Sequence, residues 1–139
     1  MSTMSRGAVA AEERRTSRAR VMIGVTLALL LGEFLLGMYV NLFVPTPHGQ
    51  PVLFAHILLG TLLLVVALVT TVVAVAGRRA PTAALSAAGL LFLVIAWIGG
   101  DKFLSGGGHS VDSYMMAAGF VLAAACYVVA RDVDRRGAA

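Results

Sequence analysis

Charge is what this sequence has least of. Only 13% of its 139 residues are Asp, Glu, Lys or Arg, against about 25% in an ordinary soluble domain. The shortfall has an address. Between Val21 and Val44 the only charged residue is Glu33; between Val52 and Ala76 the only titratable group besides the backbone is His56. Pro81–Gly100 has none, and Val111–Ala130 has only Asp112. At ~1.5 Å per residue, each of these runs is long enough to cross a ~30 Å hydrocarbon layer. Four such runs leave little chain for anything else. They exclude a soluble enzyme with a membrane tag and predict a single membrane domain, in keeping with a mean hydropathy of +0.89.

Cysteine is nearly absent as well. Cys126 is the only one, so no intrachain disulfide and no C-x-x-C redox or zinc pair can form. Placed inside the fourth run, it is expected to be an inert apolar thiol. The chain also lacks a glycine-rich phosphate loop, an H-E-x-x-H helix and a nucleophile elbow. Most enzymatic chemistries therefore have no visible apparatus, and an enzyme is not expected.

The basic residues that are present are unevenly placed. Arg6, Arg14, Arg15, Arg18 and Arg20 precede the first run, Arg78 and Arg79 separate the second from the third, and Arg131, Arg135 and Arg136 follow the fourth. Only Lys102 lies in a connection on the other side. This asymmetry is the positive-inside pattern of a multi-pass protein of the cytoplasmic membrane with both termini cytoplasmic. It accounts for the pI near 10 without nucleic acid, which is not expected as a partner. The first apolar stretch greatly exceeds an h-region of roughly 7–15 residues and is expected to act as a signal anchor.

The fold class expected is all-α: a four-transmembrane-helix bundle of up-down-up-down topology, N-in and C-in, because short connections make consecutive helices antiparallel neighbours. The spans are placed at 21–44, 52–76, 81–99 and 111–130. Residues 1–20 are expected to be a basic cytoplasmic tail, disordered or a frayed helical extension, and 131–139 a second cytoplasmic tail. Pro45 ends the first helix, since a residue before proline leaves the α region. Pro51 suits the first position of the second helix, where its missing N–H costs nothing. Gly77 is placed as a helix cap, and Gly99-Gly100 as the close of the third helix, followed by a loop over Asp101–Ser110.

Three residues stand out as candidate site groups. Glu33 lies near the middle of its span, where a charge costs about 2.5–3.5 kcal/mol on insertion scales, so it must face the bundle interior. Thr26, Glu33, Gly37 and Val40 share its helical face, with Asn41 at the edge. Such a carboxylate reads as a proton or substrate carrier, as a partner of a cofactor, or as a structural group bonded to a neighbouring helix. His56 lies about one turn into the second helix with Gly60 one turn further on, and imidazole is a common ligand of haem iron, copper and zinc. His109 leads into the fourth helix. In an up-down bundle the second and fourth helices are diagonal, so His56 and His109 enter from one side and could bind a metal centre between them. His48, in the proline loop, is expected to be solvated. Met38, Met115 and Met116 suit copper(I) as thioethers, yet the membrane methionines form no M-x-x-M pair. They are better read as core filler. Trp97, Tyr39, Tyr114 and Phe103 on one side and Tyr127 on the other are placed as an interfacial aromatic belt.

Gly32-Glu33-Phe34-Leu35-Leu36-Gly37, Ala55-His56-Ile57-Leu58-Leu59-Gly60, and His109 ahead of Tyr114-Met115-Met116 together resemble one four-helix half of the haem A synthase family. There each half carries a histidine on its second and fourth helices facing an enclosed haem. The resemblance covers about residues 21–130. It implies b-type haem with His56 and His109 as axial ligands and Glu33 as a buried polar partner, in electron transfer or as an accessory of a respiratory complex. A lone Glu in the first helix and Trp97 in the third also resemble small multidrug-type transporters, which implies a proton-coupled transporter working through Glu33. The third alternative is a ligand-free accessory subunit docking through its Gly/Ala faces. The partners expected are the lipid bilayer and, beyond it, a larger membrane complex or a second copy of the chain.

Overall fold

The computed structural model of the chain describes residues 3–44, 50–106 and 109–136, and among these there are four helices and no strand. They are α1 (Thr3–Phe43), α2 (Pro51–Ala76), α3 (Ala80–Ser105) and α4 (Ser110–Arg136). All four are long and apolar enough to cross a membrane, the α1 span being Ser17–Phe43.

The buried positions explain how the helices associate. On α1 they are Ala19, Ile23, Thr26, Leu30, Glu33 and Val40, steps of three, four and finally seven residues that keep the 3.5-residue repeat of a left-handed bundle. On α2 the same rhythm runs through Leu53, Leu63, Ala67, Thr70 and Ala74; on α3 through Thr82, Ser86, Gly89, Leu93, Ala96 and Gly99. On α4 it runs through Gly119, Ala123, Tyr127, Ala130 and Asp134. Each stripe is narrow, and the remaining faces are apolar and exposed, as with Leu31, Leu58, Val111 and Val121. In water that surface would be untenable; against acyl chains it is the expected one.

Successive helices pack side by side and α4 closes against α1, whereas the diagonal pairs α1/α3 and α2/α4 have no close backbone approach. The closest pair is α3/α4. A Cβ built on Gly119 would fall 2.7 Å from the Phe92 carbonyl oxygen, and one on Gly99 would fall 2.7 Å from the Met116 amide nitrogen. Small residues here let backbone meet backbone, the packing that holds helices together when no hydrophobic effect acts between them. Midway along, Leu30, Leu63, Ala67, Leu93, Ala123 and Tyr127 form a wholly apolar layer apart from the tyrosine hydroxyl.

Several helix ends differ from the sequence expectation. Helix α1 begins at Thr3, so residues 3–20 take the helical form of the expected tail, as suits a stretch rich in Ala, Arg and Glu. Gly99-Gly100 does not end α3, which continues to Ser105. These glycines serve the contact with α4 instead, and Gly106 takes the terminal position with its amide on the Lys102 carbonyl at 2.7 Å. Helix α4 runs through Arg136, absorbing most of the expected second tail. Pro51 does open α2, and Gly77 caps it with right-handed φ, −73°. The left-handed position falls on the next residue, Arg78, at φ 57°, where a side chain is normally disfavoured by about 1–2 kcal/mol. The turn places Arg79 at the N-cap of α3.

Candidate functional site

The interior holds polar groups at two levels, separated by the apolar layer. The first level lies in the half of the bundle nearer the α1–α2 connection. Glu33 is 8% exposed, and its Oε1 lies 2.9 Å from His56 Nδ1. The two residues are delivered by a reciprocal arrangement of antiparallel helices. Glu33 is followed four residues later by Gly37, and His56 four residues later by Gly60. A Cβ on Gly60 would fall 2.9 Å from Glu33 Oε1, and one on Gly37 would fall 3.0 Å from the His56 ring at Cε1. Each glycine thus clears the space that the other helix's polar side chain fills. At ~1.5 Å per residue, His56 sits about 7–8 Å, and Gly60 with Glu33 about 13 Å, below the start of α2.

The Glu33–His56 contact is close but not an aligned hydrogen bond. Oε1 lies off the Nδ1–H direction, and neither His56 Nδ1 nor Glu33 Oε2 makes a hydrogen bond to any described residue. Buried polar atoms are paired in the great majority of cases, so the partnerless Glu33 Oε2 marks unused bonding capacity. The contact is an ion pair when the imidazole is protonated and a neutral–charged contact when it is not.

The second level lies at the arginine-rich end. Asp134 is fully buried. Its Oδ2 accepts from Arg20 Nε at 3.1 Å, while Oδ1 and its backbone carbonyl accept from Arg79 Nη1 at 3.3 Å each. One carboxylate so fastens α1, the α2–α3 turn and α4 together. Above it runs a column of hydroxyls. Thr26 and Thr70 bond to each other at 2.8 Å across α1 and α2. Thr71 and Tyr127 both donate to the Ser86 carbonyl, at 3.2 and 3.3 Å. Tyr127 is not part of an aromatic belt: it is fully buried, its ring lying against Gly89, where a Cβ would fall 2.7 Å away.

The other candidates are not gathered at either level. His109 is exposed just before α4, its carbonyl accepting the amides of Asp112 and Ser113, and α4 does not approach α2. The structure pairs His56 with Glu33. His48 lies outside the described residues. Met38 is 40% exposed, Trp97 47%, and Cys126 is a free thiol, half-buried. No group of three or more His, Cys, Asp or Glu is clustered among the described residues. Surface hollows lined by Leu27, Val128, Val129, Arg131, Asp132 and Arg135, and by Arg78 to Thr82 with Val133, lie toward the arginine end, away from Glu33 and His56.

Asp134, Arg20 and Arg79 escaped the reading of the sequence as a joined group. The signal lay in the α4 stripe: Asp134 follows Tyr127 and Ala130 at the spacing that keeps it on the buried face, although the letters around it read as a charged tail. Comparison with protein families, with curated proteins and with solved structures yields no match.

Proposed function

We propose that this is a small proton-coupled transporter of the cytoplasmic membrane, with both termini cytoplasmic and the Glu33–His56 couple as its proton-carrying centre. The observation that carries this reading is the 2.9 Å approach of two titratable side chains inside the membrane domain, with one carboxylate oxygen still unpaired. Intramembrane carboxylates and histidines that face a bundle interior mark ion and proton pathways. A proton placed on either group changes the charge of the couple, and with it the attraction between α1 and α2. The unpaired Oε2 offers an acceptor to a substrate's hydrogen-bond donor.

The arrangement also suggests direction. The couple lies in the half of the bundle remote from the arginines, so access comes from the non-cytoplasmic side. Leu30, Leu63 and Leu93 seal the path below it, and the Asp134 lock closes the arginine end. Opening toward the cytoplasm requires α1 to part from α4, against the Arg20–Asp134 contact. The test is ligand binding by purified protein across a pH range. Affinity for a bound solute should change with pH in the wild type and become pH-independent in Glu33→Gln. An unchanged pH profile in that variant would overturn the reading.

A second reading is b-type haem held by His56 and His109. One observation favours it: a carboxylate at Nδ1 leaves Nε2 as the ligating nitrogen, the orientation that metal-bound histidines commonly have. Haem would supply one-electron chemistry, and this chain's residues would hold the ring through His56 and orient that imidazole through Glu33. His109, the other ligand of this reading, is exposed just before α4 and would have to turn inward to reach a ring held at His56. The absorption spectrum separates the two readings. A Soret band that shifts on reduction and is lost in His56→Ala belongs to haem; a colourless protein with pH-dependent ligand binding belongs to the transporter.

A further inference from the structure

The arginines at the closed end are not equivalent. Arg20 and Arg79 are committed to Asp134, and Arg136 is paired with Asp132 at 2.8 Å. Arg131 and Arg135 are exposed and make no ion pair or hydrogen bond with the described residues. Both line a groove between α1 and α4 whose other walls are Leu27, Val128, Val129 and the already paired Asp132. The α1/α4 seam is the loosest contact between neighbouring helices in the bundle.

The groove is graded with depth. Arg20 meets Asp134, so these two residues define one level. With ~1.5 Å per residue, Arg135 lies just below that level and Arg131 about 4–5 Å above it. Leu27 and Val128 lie about 9–11 Å above it. Cationic groups thus stand at the mouth, and branched apolar side chains line the recess toward the membrane centre. A soluble anion would use the first and gain nothing from the second. A phospholipid with an anionic headgroup matches both, its phosphate among the guanidinium groups and an acyl chain along Leu27, Val128 and Val129.

We infer that this groove is a binding site for one anionic phospholipid, held by Arg131 and Arg135. The guanidinium groups must supply the attraction, because the C-terminal carbonyls of α4 repel a phosphate. Basic residues beside an anionic leaflet contribute roughly a fivefold gain in affinity each. The site is independent of the Glu33–His56 couple and of the transport reading.

The test is native mass spectrometry of the full-length protein, titrated with phosphatidylglycerol and with phosphatidylcholine of the same acyl chains. The wild type should retain phosphatidylglycerol in preference. Arg131→Gln with Arg135→Gln should weaken it roughly 25-fold, the product of two such steps. Arg18→Gln with Arg78→Gln, which removes as much charge from the same end, should change it less than twofold. Val128→Trp fills the recess without altering charge and should also weaken it. Retained helicity and a monodisperse elution profile would show that each variant is folded. No preference for phosphatidylglycerol, an equal loss in both double variants, or an unaffected Val128→Trp would overturn the proposal.

Discussion

The two ends of the bundle each bury a carboxylate, and they treat it in opposite ways. At the arginine end, Asp134 is fully enclosed and its two oxygens and backbone carbonyl face two guanidinium groups. At the histidine end, Glu33 is nearly as enclosed, yet it has one imidazole beside it, off axis, and an oxygen with no partner. A buried carboxylate satisfied on every side is a fastening; removing it strands its partners. One left half-satisfied adds little to stability and keeps its bonding capacity for something that comes and goes. The glycines repeat the contrast. Gly99 and Gly119 admit backbone, whereas Gly37 and Gly60 admit only the ends of the two polar side chains.

That contrast can be broken by mutation. The largest effect should come from Asp134→Ala, which leaves Arg20 and Arg79 without their acceptor. Both are partly exposed and can rehydrate, so the loss should be about 2–3 kcal/mol, at the lower end for a broken buried pair. Unfolding in mixed micelles measures it, and Glu33→Gln in the same assay should lose less than about 1 kcal/mol. Equal losses would make the two carboxylates structurally equivalent. Next comes Gly119→Ala, whose Cβ would meet backbone atoms that cannot swing aside. It should destabilise by about 1–3 kcal/mol. Gly60→Ala should be close to neutral in stability, because the Glu33 side chain can turn away and Ala favours the helix by about 1 kcal/mol; its effect should appear instead as loss of pH-dependent ligand binding.

Smaller effects sharpen the picture of the arginine end. Arg78→Gly removes the left-handed strain of the α2–α3 turn and should raise stability by about 0.5–1 kcal/mol. Thr26→Val and Thr70→Val should each cost little. A double-mutant cycle should return a coupling of about 0.6 kcal/mol, typical of a hydroxyl bond between membrane helices.

The parts of this architecture that could be read from the sequence are those where polarity alone decides. Four runs nearly free of charge give four helices, and Pro51 opens α2 because its ring suits a helix start. Glu33 must face inward because lipid will not solvate it. The glycines following Glu33 and His56 were legible too, but their crossed use was not. Which residue faces which depends on how α1 and α2 are rotated and staggered, and spacing within one helix does not carry that. Gly99-Gly100 misled for a related reason, since a glycine that allows close packing looks like one that ends a helix. Asp134 and Tyr127 were hidden by their neighbours: a buried aspartate amid surface charge and a buried tyrosine that reads as a belt residue are revealed only by the packing stripe of α4. The pairing of His56 with His109 was expected from their common side of the membrane. In the structure His56 lies beside Glu33 and His109 is exposed just before α4.

The central claim is that the Glu33–His56 couple moves a proton with a substrate. The most direct measurement is of proton movement into proteoliposomes carrying a trapped pH dye, on addition of a panel of small organic solutes. At least one solute should evoke a proton flux in the wild type that is abolished in Glu33→Gln, diminished in His56→Gln and preserved in Arg78→Gly. A wild-type protein silent to every solute, or a flux of equal size in Glu33→Gln, would contradict the account.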